Sequence, residues 1–265
     1  MTIVAVLYLV MWTVLLHYFQ NSFRPHDLQG QVKAVASVLL TQTGLQFSSM
    51  LMCLLTIMLG AGSIASELEN GMIHAVLSRP LRRLEYVLGK FVGLVVLLFI
   101  YATLLFSAIL LVGLIFSLDT VTALTFSQII RGWLLYLLVP IVVLCITIFG
   151  SVTLKVVPNG LLMIFIYILG NIGGMVEMIG KYISNSTITS AGVFLSLISP
   201  FQTIFATCQR VLIPSSGILG DMMQGAGGLS GFGEPASFWM FIYIAIYAVA
   251  FIVLAIRKFD KLDIN

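Results

Sequence analysis

An all-α integral membrane protein with six spanning helices is the fold class this sequence predicts, on three observations. Of its 265 residues, 60% are hydrophobic and only 9% are charged, and the mean hydropathy is +1.12. An ordinary soluble domain is about 45–50% apolar and about 25% charged, so much of this surface must face lipid rather than water. The apolar residues fall in long runs, and a hydrocarbon core of about 30 Å takes about 20 residues of helix to cross. The scarce charge is gathered: Glu67, Glu69, Arg79, Arg82, Arg83 and Glu85 crowd one internal segment between two such runs.

Taken in order, the first span is expected over 2–18. Its opening, MTIVAVLYLV, has no basic n-region and no small-residue cleavage site follows, so it reads as a membrane helix and not a signal peptide. A polar stretch, 20–46, with Arg24, Pro25, Asp27 and Lys33, is expected to connect it to a second span over 47–65. The charged segment comes next, then a third span over 86–116 and a short polar connection from Asp119 to Gln128. The fourth span, 133–154, contains Pro140, which lacks an N–H and should bend the helix. Lys155 to Asn159 reads as a tight turn, with Pro158 suited to the first turn of the fifth span, 160–178.

The segment 179–235 is more polar and holds Pro200 and Pro214; glycines at 217, 220, 225, 227, 228, 231 and 233 mark its second half as loop. Its apolar pieces ITSAGVFLSLI and FQTIFATCQRVLI are each too short to cross, and are expected as short helices lying at or dipping into the outer interface. The sixth span is expected over 238–256, before the tail RKFDKLDIN. The whole chain, 1–265, then forms a single transmembrane domain.

Six spans put both termini on one side. With that side cytoplasmic, Arg79, Arg82, Arg83, Lys90, Lys155, Arg257, Lys258 and Lys261 lie inside, against Arg24, Lys33, Arg131, Lys181 and Arg210 outside. The excess of basic residues in the shorter loops favours this orientation and makes the charged segment cytoplasmic. A net charge of +3 is too small to suggest a nucleic-acid partner.

Within the charged segment Leu68, Met72 and Val76 recur every four residues, as do Ile73 and Leu77, which is the pattern of an amphipathic helix. Glu67 and Glu69 stand at its expected N-terminal end and Arg79 at the other, matching the helix dipole. Pro80 biases Arg79 away from helical geometry, and Gly71 in the middle costs about 1 kcal/mol. Such a helix serves equally as a membrane-surface element with snorkelling arginines or as a docking handle for a soluble partner.

Elsewhere, Glu177 stands in the glycine-rich GNIGGMVEMIGK at the end of the fifth span. An intramembrane acid beside glycines can mark an ion-coupled site in a broken helix. The same glycines can instead permit close helix packing. His17 reads as an interfacial residue, and the methionines Met50, Met52, Met58, Met163, Met175 and Met178 read as apolar filler before soft-metal ligands. Cys53, Cys145 and Cys208 have no metal or disulfide spacing. Asn185-Ser186-Thr187 matches a glycosylation sequon without a context that gives it meaning. No HExxH, paired acids or Ser–His arrangement points to an enzyme.

The stretch GSIASELENGMIHAVLSRPLRRLEYVLGKFVG resembles the signature of ABC transporter permeases of the type-two exporter class. The resemblance rests on Glu67 or Glu69, Gly71, Leu77-Ser78-Arg79-Pro80, Arg83 and Leu88-Gly89-Lys90, and it is most similar to the branch containing the permease of the nitrous-oxide reductase maturation system. It implies a coupling helix over about 68–78 that docks into a separate ATP-binding cassette subunit through Glu67, Glu69, Gly71, Met72, His74, Arg79, Pro80, Arg82 and Arg83. It implies a homodimer, or a pair with a sister permease, in a bacterial plasma membrane. ATP and Mg would be bound by the partner: no GxxxxGK[ST] phosphate loop occurs in this sequence. The family pattern also has a basic amphipathic helix before the first span, to which no residues here correspond. The alternatives that remain are an ion-coupled carrier using Glu177, and a membrane anchor that recruits a soluble protein.

Overall fold

The computed structural model describes residues 2–22, 30–71, 83–213 and 238–260. Among these it contains ten helices and no strand: α1 (Thr2–Ser22), α2 (Gly30–Ser63), α3 (Ala65–Glu69), α4 (Arg83–Ile115), α5 (Asp119–Thr122), α6 (Phe126–Thr153), α7 (Val156–Tyr182), α8 (Ser186–Ile198), α9 (Phe201–Val211) and α10 (Phe238–Asp260). Five stretches are long and apolar enough to cross a membrane, Val35–Glu69, Leu84–Ile115, Phe126–Thr153, Val156–Glu177 and Trp239–Asp260. The bent pair α8–α9 makes a sixth if it is counted as one span, while α1 holds a shorter apolar stretch, Ile3–Phe19. The all-α membrane fold expected from composition is the observed one.

The first difference from the sequence reading lies in α2. Residues 30–46, expected as a polar connection, are the first half of a 34-residue helix. Ser37, Thr41 and Gln42 of this half are buried in the bundle. Ser37 Oγ lies 2.9 Å from Thr120 Oγ1 of α5, and Thr41 Oγ1 donates to the Ser37 carbonyl at 2.8 Å. The Gln42 carbonyl accepts from Gln209 Nε2 of α9 at 3.3 Å. Hydropathy counts such residues against a span, although none of them faces lipid.

Helix α6 is the centre of the bundle, packed against α2, α4, α9 and α10. It is buried nearly all round from Tyr136 to Val152, as a helix without a polar face should be. It runs through Pro140 without dividing into two helices. The turn into α7 is as short as expected, and Pro158 falls in the first turn of α7. Asn159 locks this turn: its Nδ2 donates to the buried Thr147 carbonyl of α6 at 3.0 Å, and its side chain fills the space a Cβ at Gly150 would take.

The segment after the fifth span forms a helical hairpin that dips back into the bundle. Helix α8 returns along α7, with Thr189 facing Gly180, Gly192 facing Glu177, Leu195 facing Gly173 and Ser199 facing Gly170. The paired numbers keep a nearly constant sum, which is the register of two antiparallel helices. The Asn185 side chain starts α8 by accepting from the Thr187 and Ile188 N–H groups at 3.0 and 3.4 Å. The chain then bends by 103° and continues as α9. Phe201 stacks on Tyr167 with the rings 5.5 Å apart, and Cys208 and Leu212 pack against Gly132 near the start of α6. Hydroxyls of Tyr243 and Tyr247 on α10 donate to the Leu197 and Ile198 carbonyls at the bend, each at 2.9 Å.

Cys53, Cys145 and Cys208 are all buried and free. Maleimide applied to the folded protein in mild detergent is therefore expected to label none of the three, and all of them after denaturation. Rapid labelling of the folded protein would contradict this packing.

Candidate functional site

The charged segment remains the feature that composition does not explain, and the described residues show how it is rooted. Helix α2 ends at Ser63 and the chain re-forms one short helix, α3, over Ala65–Glu69. Ile64 and Ala65 are buried beneath it. Glu67 then lies half-buried, its carboxylate accepting from the Tyr86 hydroxyl on one oxygen and from Lys90 Nζ on the other. Tyr86 and Lys90 are four residues apart on α4, so both donors lie on one face of that helix.

Glu69 makes a different bond. Its Oε1 accepts from the Val156 N–H, the first of α7, at 3.0 Å. That N–H has no partner within its own helix, and the positive end of the α7 dipole favours an anion there. The Tyr86 ring stacks on Phe259, with centroids 5.6 Å apart, and Phe259 is fully buried near the end of α10. The end of α2, the starts of α4 and α7 and the end of α10 thus meet around a five-residue helix.

Of the expected helix over 68–78 only residues 68–71 are among the described residues, and there no helix runs through Gly71. Helix α3 stops at Glu69, Asn70 caps it by donating its N–H to the Ser66 carbonyl at 3.0 Å, and Gly71 adopts a φ of +68°. That conformation terminates a right-handed helix and suits glycine, which has no Cβ to clash. Leu68 and Glu69 therefore belong to a helix that precedes Gly71. Glu69 complements the dipole of α7, not that of a helix running from 68. Gly71 is a stop, not an interior residue that weakens a helix. Met72, His74, Arg79, Pro80 and Arg82 lie outside the described residues; Arg83 begins α4 with its side chain outside them.

Three of the residues that build the site, Tyr86, Val156 and Phe259, were not singled out in the sequence. Val156 contributes a backbone N–H, for which no side-chain signal exists. Tyr86 sits four before Lys90 on a helix that follows an acidic segment, a spacing that carries a weak hint.

The second candidate, Glu177, sits where α7 and α8 cross. Helix α7 continues unbroken through Gly170, Gly173 and Gly174, and the faces of Gly173 and Gly180 lie directly against α8. These glycines permit close helix contact. His17 packs edge-on to Phe116, 6.5 Å between centroids. Met52 and Met163 are buried in the core, while Met50, Met58 and Met175 are exposed. Among the described residues no three His, Cys, Asp or Glu side chains gather closely enough to hold a metal ion.

A model of the family described as "ABC-2 family transporter protein" matches residues 1–264. No curated protein matches the chain. The family match runs through the charged segment and every helix of the bundle. The chain therefore belongs to the ABC-2 transporter family, as a multi-pass membrane component, and that family implies a partner ATP-binding subunit.

Proposed function

We propose that the chain is the permease of an exporter that moves its substrate across a bacterial plasma membrane by alternating access. Two copies, or one copy and a sister permease, enclose the path and engage two ATP-binding cassette subunits, which bind ATP and Mg. Six crossings, with both termini cytoplasmic, place the charged segment on the side of the ATPase. Met72, His74, Arg79, Pro80, Arg82 and Arg83 form the contact with that subunit, and Glu67, Glu69 and Gly71 form its root. The observation that supports the reading most is that the end of α2 and the starts of α4 and α7 join at α3, with the end of α10 packed on Tyr86 beside it, in a chain of this family. Within the family, Leu77-Ser78-Arg79-Pro80 and Leu88-Gly89-Lys90 favour the branch that contains the nitrous-oxide reductase maturation permease.

Affinity purification of the tagged chain from its native host in mild detergent tests this reading. An ATP-binding subunit is expected to accompany the wild type, and to be depleted at least about tenfold by the Arg79→Glu/Arg83→Glu variant, a loss of about 1.4 kcal/mol in binding. Equal recovery of the ATPase with both chains would remove the contact from this loop. Recovery with neither would move attention to a carrier using Glu177.

A further inference from the structure

We infer that Glu67 and Glu69 act inward, as positioning residues that make α3 a rigid transmission element between the charged segment and the ends of α4, α7 and α10. This rests on the coupling reading above but assigns these two carboxylates a different task from ATPase contact.

Their acceptor oxygens are engaged within the chain. Both oxygens of Glu67 are taken, by the Tyr86 hydroxyl and by Lys90 Nζ, and Glu69 Oε1 is taken by the Val156 N–H at 3.0 Å. A helix of five residues does not hold its shape alone, since the first turn costs more order than its hydrogen bonds return. Tertiary contacts therefore fix α3. Buried Ile64 and Ala65 hold it from below, and the two glutamates hold it sideways to different helices.

The direction of those ties decides what moves with α3. Glu67 grips α4 at two points one turn apart, which resists rotation as well as translation. Through the ring of Tyr86 the same grip reaches Phe259 at the end of α10. Glu69 holds the first residue of α7. Gly71, at φ +68°, ends α3, so a push arriving at its end meets a fixed body and is not absorbed by a fraying helix. A glutamate turned to a soluble partner would need none of these bonds.

The test uses the complete complex with its co-purifying ATPase, reconstituted in lipid nanodiscs. A bimane fluorophore on Val253→Cys, an exposed position of α10, reports movement when ATP and vanadate are added; the native cysteines are buried. Glu67→Gln and Lys90→Glu are expected to keep the ATPase bound and hydrolysing while reducing the ATP-dependent signal about fivefold or more, the lower end of typical coupling between sites. The exchange Glu67→Lys/Lys90→Glu is expected to restore it, which a merely lost side chain would not. Tyr86→Phe, which removes one hydroxyl, should give an intermediate loss and serves where a charge variant does not fold.

A wild-type signal in Glu67→Gln, Lys90→Glu and Tyr86→Phe, with the ATPase still bound, overturns the inference and leaves the coupling reading standing. Loss of the ATPase itself from Glu67→Gln and from the exchange variant alike also overturns it, because the carboxylate would then be part of the contact. Absence of an ATPase from the wild-type chain overturns the coupling reading, and this inference with it.

Discussion

A valine at position 192 is expected to prevent the α7–α8 hairpin from closing. A Cβ on Gly192 would fall on the backbone nitrogen and Cα of Glu177, and backbone cannot swing aside as a side chain can. Gly180 faces the backbone of Thr189 in the same way, and Gly173 faces Leu195 and the N–H of Ser196. The two helices interlock at three levels, so a bulky residue at one level separates the others. Overpacking a tight contact costs about 1–3 kcal/mol, and more where the backbone must shift. At about 2–4 °C per kcal/mol for a chain near this size, the apparent midpoint of thermal unfolding in detergent should fall by about 5–10 °C. Gly93→Ala is the control: no atom lies within 4 Å of its added Cβ, and an alanine suits a helix better than glycine. An unchanged midpoint for Gly192→Val would mean that α8 does not lie on α7. Because α9 follows from the end of α8, the same substitution should also expose Cys208 to maleimide.

Truncating Tyr136 to alanine is expected to cost the most in the centre of the bundle. It is among the largest fully buried side chains, 1% exposed, and it packs on Phe106 with the rings 5.5 Å apart. Removing a buried aromatic ring typically costs about 3–5 kcal/mol, the transfer of the ring plus the cavity it leaves. Tyr136→Phe should be far milder. The hydroxyl lies 3.0 Å from Ser48 Oγ, which also donates to the Leu45 carbonyl at 2.9 Å. Loss of the phenol therefore leaves the Ser48 donor satisfied, and a hydrogen bond of this kind is worth about 1 kcal/mol net. The pair of variants, compared by thermal unfolding in one detergent, separates packing from hydrogen bonding. Equal losses for both would mean that the hydroxyl, not the ring, carries the stability.

Much of the fold was legible because lipid imposes a simple rule on sequence. Backbone groups in a bilayer must bond within their own helix, so apolar runs of sufficient length become helices whatever surrounds them. The expected third, fourth and fifth spans lie within α4, α6 and α7 with small differences at their ends. The two short helices of the later segment, α8 and α9, match its two short apolar pieces. Hydropathy concealed the first half of α2, because Ser37, Thr41 and Gln42 are polar to a scale but inward-facing in the bundle.

The candidate site was legible as a place and not as a mechanism. Six charged residues in one short segment of a chain with so few set that segment apart from the membrane spans. Periodicity then carried the helix through Gly71, since the spacing of Leu68, Met72 and Val76 is blind to a positive φ.

By itself the sequence determined that this is a helical membrane protein, where most of its helices lie, and that its charge gathers at one loop. Those properties follow from local hydropathy and spacing. Only the tertiary structure decided what the acidic residues hold. Glu69 meets Val156 across 87 positions of sequence, and Glu67 meets Tyr86 and Lys90 across 19 and 23. A carboxylate reads the same in sequence whether it faces water, a partner or the N-terminus of another helix. Which of these it meets is set by how the helices pack, and that is a property of the whole bundle.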